Sequence, residues 1–335
     1  MNASKLIHAT IITISLQACS DKEVESMPFL CADYPTDTTA VAVSIDEMID
    51  SVCNYPVTLH GTPTRHAISD KYIAIVTSGG YEAYLISRDK PYRQIDLNLQ
   101  SDSRITDILI DEEHNCLFTA HSGGRIDRYN LPAGIHSGFV LLDMAVPFLI
   151  ANSDGSITAF KLPIGNFREL YCCANIRFDN NGISDIRYTG RSSLTAWTDE
   201  HGTINALPYT SRDCRHHTFG STNCDTLFRY EPATNSIEPR FHLIKKVQRH
   251  IPYMQIVELP AAFLTSTGNG LIRTDKNTLL SEYIKIKDPR TGSSVNTYNF
   301  IDGYYLSYRH ANDTIDESHV MDTQPDMILS IAKLK

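Results

Sequence analysis

The side chains best equipped for chemistry in this 335-residue chain are its 13 histidines, 39 carboxylates and 8 cysteines, and few of them stand at spacings that chemistry requires. Cys214, His216, His217 and Cys224 gather four soft ligand types in one short stretch. Adjacent histidines point apart in an extended chain, however, and the Cys-x-x-Cys knuckle of structural zinc sites is missing. A Cys214–Cys224 disulfide closing a polar loop is therefore the preferred reading, with Cys31–Cys53 as a second choice. Cys116 sits in an apolar strand pattern and reads as a buried thiol. Vicinal Cys172 and Cys173 fall on opposite faces of a strand. Asp107 and Asp185 recur in similar surroundings. A channel ring of carboxylates holding a cation is weighed against a structural role as hydrogen-bond acceptors, and the structural role is preferred. His121 and His201 each stand at a glycine turn with Arg125, Asp199 and Glu200 close by, and these five residues are the candidate loop-face contacts. No Gly-x-Ser-x-Gly elbow, phosphate-binding glycine loop, His-Glu-x-x-His or dinucleotide fingerprint occurs. With no nucleophile beside an oriented base, no catalytic residue, metal or cofactor is assigned.

Composition narrows the class. The chain is 42 % hydrophobic and 21 % charged, with 17 tyrosines and many Ile, Val and Thr. That bias favours strands, and long helical-period stretches are absent. The formal net charge of -9 argues against nucleic acid as a partner, which demands a basic footprint. The densest basic group, Lys245, Lys246, Arg249 and His250, reads as a solvated edge or loop.

The first residues differ from the rest. Lys5 precedes an apolar stretch from Leu6 to Leu16, followed by Gln17, Ala18, Cys19 and Ser20. A basic start before an apolar run too short to span a bilayer is a secretory pattern. The Leu-Gln-Ala-Cys ending resembles the lipobox of bacterial lipoproteins. That resemblance implies an acylated Cys19 as the first mature residue and, with Ser20 following it, an outer-membrane anchor facing the periplasm. The implied division is a signal peptide over 1–18, a lipidated tether over 19–30 and a single domain over 31–335.

Internal repetition sets the architecture of that domain. Ile105-Thr-Asp-Ile-Leu-Ile leads through Cys116-Leu-Phe-Thr-Ala and the Ser122-Gly-Gly turn to Arg125-Ile-Asp-Arg-Tyr. Ile183-Ser-Asp-Ile-Arg-Tyr leads through Ser193-Leu-Thr-Ala-Trp and the Glu200-His-Gly turn to Thr203-Ile-Asn-Ala-Leu. Looser copies turn at Gly80, Gly155, Gly270 and Asn312. Glycine or asparagine between two β-rich runs is a hairpin signal, because both tolerate positive φ. The turns are 44, 31, 47, 68 and 42 residues apart, and the long gap holds a further candidate hairpin, Leu227–Tyr230 to Ile237–Phe241. The expectation is an all-β chain forming a β-propeller of six to seven four-stranded blades. Asp326–Leu334 is expected to close the ring beside an N-terminal strand, and Ser44–Val52 offers one or two helical turns.

The blade rhythm from about residue 58 to about 320 resembles that of the WD-repeat propeller family, without its Gly-His and Trp-Asp marks; the one tryptophan, Trp197, precedes Thr198. With the glycines committed to turns and no converging catalytic set, the blades read as a platform for recognition. The leading functional reading is accordingly an envelope-tethered, non-enzymatic propeller that binds another protein, as an assembly scaffold or a toxin-neutralising immunity-type protein. An acidic chain suits a basic partner. Two alternatives stand beside it: a propeller hydrolase or lactonase with a channel metal, and a cytosolic scaffold whose first residues are not a leader.

Overall fold

A computed structural model describes residues 28–77, 79–143, 146, 148–160, 173–179, 182–189, 208–211, 217–221, 226–231, 236–244, 255–311 and 326–335. Three short strands come first: β1 (Leu30–Asp33), β2 (Val41–Ser44) and β3 (Cys53–Val57). Six antiparallel blades follow. Blade 1 holds β4 (Pro63–Ile68), β5 (Tyr72–Thr77), β6 (Ala83–Ser87) and β7 (Gln94–Asp96). Blade 2 holds β8 (Ile105–Asp111), β9 (Cys116–His121), β10 (Arg125–Asn130) and β11 (Ile135–Leu141). Blade 3 holds β12 (Phe148–Ala151), β13 (Ile157–Phe160), β14 (Cys173–Asp179) and β15 (Gly182–Thr189). Blade 4 holds β16 (Pro208–Ser211), β17 (His217–Ser221), β18 (Thr226–Glu231) and β19 (Ser236–Ile244). Blade 5 holds β20 (Gln255–Glu258), β21 (Ala262–Thr267), β22 (Gly270–Asp275) and β23 (Ser281–Lys287), with the two-residue β24 (Ser294–Val295) beside β23. Blade 6 is completed from both ends of the chain, by β25 (Phe300–Ile301), β26 (Tyr304–His310), β27 (Met327–Lys333) and β3.

The expected closure is thus present: β27 pairs antiparallel with β3, and Leu329 faces Tyr55 across the seam. The N-terminal strands also reinforce the rim. β1 lies parallel to β19, and β2 parallel to β23, so the outer edges of blades 4 and 5 each gain a further strand from the N-terminus. Pairing begins at Leu30, one residue inside the segment read as tether. Between β2 and β3 the helical expectation shrinks to a single 3-10 turn, Ile45–Glu47, with Ser44 and Glu47 forming a capping box.

Alternation along each strand buries both blade faces against neighbouring blades. Ala67, Val76 and Leu85 of blade 1 meet Ile108, Leu117 and Tyr129 of blade 2. Tyr55, Leu329 and Ile331 of blade 6 meet Ile73, Ile75 and Ile86 of blade 1. Between blades 4 and 5, Phe241 stacks on Phe263 with ring centroids 4.1 Å apart. Comparable apolar seams join blades 2 to 3 and 5 to 6. Each blade therefore depends on its neighbours, as radial repeats do.

Several repeat assignments change. Ile105–Tyr129 does form the first three strands of blade 2, whereas Ile183–Tyr188 lies in β15, the outermost strand of blade 3. Asp107 and Asp185 are therefore not equivalent; an Ile-x-Asp-Ile run fits any half-buried strand, inner or outer. The Gly155 turn joins the first and second strands of its blade, while Gly80 and Gly124 precede the third strand and Gly270 opens it, which accounts for the short gap. The Leu227–Phe241 hairpin is the outer half of blade 4 and not an extra blade. β26 pairs with β25 and β27, while the expected Asn312 turn lies outside the described residues.

Candidate functional site

Connectivity gives the ring two faces. Links between blades and the tips before each third strand lie on one, called here the loop face; the remaining turns lie on the other. Near the loop face, blade 2 carries a cluster of buried charge around Asp127, which has no exposed surface. Alternation in Arg125-Ile-Asp places Arg125 and Asp127 on one face of β10 while Ile126 fills the seam with blade 3. Arg125 grips the carboxylate with Nε 2.9 Å from Oδ2 and an NH2 group 2.7 Å from Oδ1. A register shift at Arg128/Tyr129 sets His136 of β11 opposite Tyr129, and its Nε2 lies 2.8 Å from Oδ1. His121 Nε2 is 3.1 Å from Oδ2, and its Nδ1 donates to the Ser103 carbonyl at 2.9 Å. Burial alone would raise the Asp127 pKa. Hydrogen bonds from His121, Arg125 and His136, with the Arg125 charge, outweigh it and hold the carboxyl well below its usual range. Both oxygens are saturated, so Asp127 is a clasp joining β9, β10, β11 and the segment before β8; it offers no lone pair to a substrate proton.

The channel walls are the first strands of the blades, and polar groups tie them together. Asp107 Oδ2 accepts from the Leu149 amide of blade 3 at 2.7 Å, and Thr106 Oγ1 donates to the Val146 carbonyl at 2.6 Å. Asp302 Oδ2 accepts from the Ile68 amide at 2.9 Å, joining blade 6 to blade 1. Asp107 is thus the acceptor that the structural reading required. Arg65 crosses to the Thr106 carbonyl at 3.1 Å. Beside it, His66 Nε2 lies 2.7 Å from the Tyr308 hydroxyl, and burial with the nearby Arg65 charge pulls the His66 pKa down to about 3.

Among the described residues of the loop face, Tyr81 at the β5–β6 turn is 58 % exposed and Tyr298 before β25 is 65 % exposed. Gly79, at φ +92°, supports Tyr81; a Cβ there would stand 3.3 Å from its ring. His60 and Glu82 lie on the same face 3.9 Å apart. On the opposite face, a cavity of about 880 Å³ opens between blade 5 and the Ile45–Glu47 turn, lined in part by Met48, Leu259, Arg273 and Leu280. Its Arg273 is committed to Glu282.

The loop-face candidates from the sequence fare unequally. His121 is fully buried and presents nothing to a docking partner; Arg125 is mostly covered, with its guanidinium 4.1 Å from the Phe139 ring centre. Asp199, Glu200 and His201 lie outside the described residues, as do Cys19, Cys214 and Cys224. Cys31 and Cys53 are free and exposed on the rims of blades 4 and 6, so the second-choice disulfide does not form. Sequence reading missed Asp127 and His136, although the Arg-x-Asp spacing of β10 marked two charges for one face. Among the described residues no group of three metal-ligating side chains converges.

No protein-family model matches this chain, and no curated protein sequence does. Solved structures do. A protein from Bacteroides fragilis described as exported superposes with a TM-score of 0.55 at 11 % identity, over 91 % of this chain and 99 % of that one. Virginiamycin B lyase from Staphylococcus aureus gives 0.49 at 13 %, over 84 % and 99 %. The Dos1 propeller gives 0.43 at 13 %, over 73 % and 69 %. The likeness is one of fold. The chain is an all-β, six-bladed propeller of four-stranded blades.

Proposed function

We propose that this chain is a non-enzymatic, envelope-tethered propeller that binds another protein through its loop face, as a scaffold or as an immunity-type protein capping a toxin. One observation carries the reading. Tyr81 and Tyr298 stand exposed on that face, while the charged groups of blade 2 and the channel are already committed to one another. Tyrosines of this kind are favoured anchors at protein interfaces, joining large contact area to a polar tip. A net charge of -9 suits a basic partner by steering encounter. The lipobox-like Leu-Gln-Ala-Cys at residues 16–19 supplies the anchor, and export of the Bacteroides fragilis protein of like fold is in keeping with it.

The test is in living cells. A photo-crosslinking residue at position 81 is expected to yield one discrete protein adduct in the membrane fraction, and labelled palmitate is expected to enter the chain. A Cys19→Ala variant should lose the label and leave the membrane. Label retained in that variant refutes the anchor; absence of any adduct refutes the binding face.

A further inference from the structure

We infer that the face opposite the loop face, at blades 4 and 5, is turned to the bilayer and that the loop face looks away from it, a placement that rests on the Cys19 anchor proposed above. Strand direction decides from which side the chain enters. As the fourth strand of its blade, β19 runs toward the inter-blade links and hence toward the loop face. β1 lies parallel to β19, with Leu30 beside Phe241 and Asp33 beside Ile244, so it runs the same way. The chain preceding β1 therefore arrives from the opposite face.

A buried clasp fixes that entry point. Arg240, 4 % exposed on β19, donates through NH1 to the Pro28 carbonyl at 2.7 Å. Its Nε and NH2 groups reach Glu258 Oε1 at 3.2 and 2.9 Å, and Lys276 Nζ meets the same oxygen at 2.8 Å. Glu258 ends β20 and Lys276 opens the β22–β23 turn, both at the opposite-face end of blade 5. Arg240 and Lys276 also lean on the Phe263 ring, whose centre is 5.4 and 5.2 Å from their charged ends. Pro28 is thus held to the opposite-face side of the rim between blades 4 and 5.

Reach then sets the orientation. Cys19 and Pro28 are nine residues apart, a span of at most about 30 Å. With the opposite face toward the bilayer, the tether need only bridge the gap from the rim to the headgroups. With the loop face toward it, the tether would first retrace the strap from Pro28 to Tyr34, about 20 Å at the rise of a strand, and then pass the loops. That arrangement pulls the tether nearly straight and forfeits most of its conformational entropy. Leu280, 73 % exposed, stands on the β22–β23 turn beside the entry point, an apolar tip that a lipid interface covers better than water does. A partner accordingly meets the loop face from the aqueous side.

Quenching by brominated lipid tests this, on the full acylated chain in vesicles of phosphatidylethanolamine and phosphatidylglycerol. A fluorescent coumarin residue is placed in turn at Asn277 and Leu280 on the opposite face, and at Tyr81 and Tyr298 on the loop face; all four positions are exposed. Emission from 277 and 280 should be quenched several-fold more than emission from 81 and 298. Equal quenching on both faces, or stronger quenching at 81 and 298, overturns the orientation while leaving a palmitate-labelled anchor standing. A chain that takes up no palmitate at Cys19 removes the anchor, and the orientation with it.

Discussion

Asp127 shows how a single residue organises its surroundings. Its carboxylate holds Arg125, His121 and His136 at once, and two of these four groups have no exposed surface. Removing it strands donors that water reaches poorly, so Asp127→Ala should cost about 3–5 kcal/mol, as losing one partner of a buried ion pair does. Urea unfolding monitored by circular dichroism measures that loss. His66 makes a different prediction, in pH. Its pKa falls to about 3 in the fold from an ordinary value near 6.5. The unfolded chain therefore takes up a proton below 6.5 that the folded chain refuses. Its contribution is fully present above pH 6.5 and is lost as pH drops toward 3. The melting temperature of the wild type should fall across that window more steeply than that of His66→Gln, which retains a donor and an acceptor for Tyr308. Equal slopes would remove His66 from the account. Neither residue was conspicuous in the sequence. A lone His in Thr-Arg-His-Ala and an Asp in an alternating strand owe their roles to partners on other strands, reached only through the fold.

The elements were read more successfully than their places in the blades. Hairpins announced themselves locally, because turn glycines such as Gly124 and Gly155 hold positive φ between β-rich runs. Position within a blade is set by non-local pairing, so the strand containing Asp185 could not be told from one containing Asp107. The N-terminal strands illustrate the same limit: β1 and β2 are four residues each, and nothing nearby in sequence names β19 or β23 as their partners. Their anchorage is testable. Ile45, between β2 and β3, is fully buried with Leu264, Ile284 and Tyr305. Ile45→Ala should destabilise by about 2–5 kcal/mol, the cost of a large apolar truncation in a packed core. Differential scanning calorimetry should still record one transition, since the strap joins blades 5 and 6. A separate low-temperature transition would mean that the strap melts independently.

At the scale of the molecule, six blades close into a ring through the β27–β3 seam, and the period near forty residues was legible because each blade spends about that length on four strands. The blade count, expected as six to seven, is six; the spread came from the 68-residue gap between the turn glycines at 202 and 270, which holds the Leu227–Phe241 hairpin. Among the described residues, exposed tyrosines stand on one face and the buried charges of blade 2 are paired with one another. Under the proposed binding through the loop face, recognition depends on that face only. The most direct measurement places a photo-crosslinking residue in turn at Tyr81 and Tyr298 on the loop face and at Asn277 on the opposite face, in otherwise native cells. The account predicts the same protein adduct from positions 81 and 298, diminished at least tenfold at 277, the loss expected when a central anchor is absent. Adducts from position 277 alone, or equal yields from both faces, would contradict it.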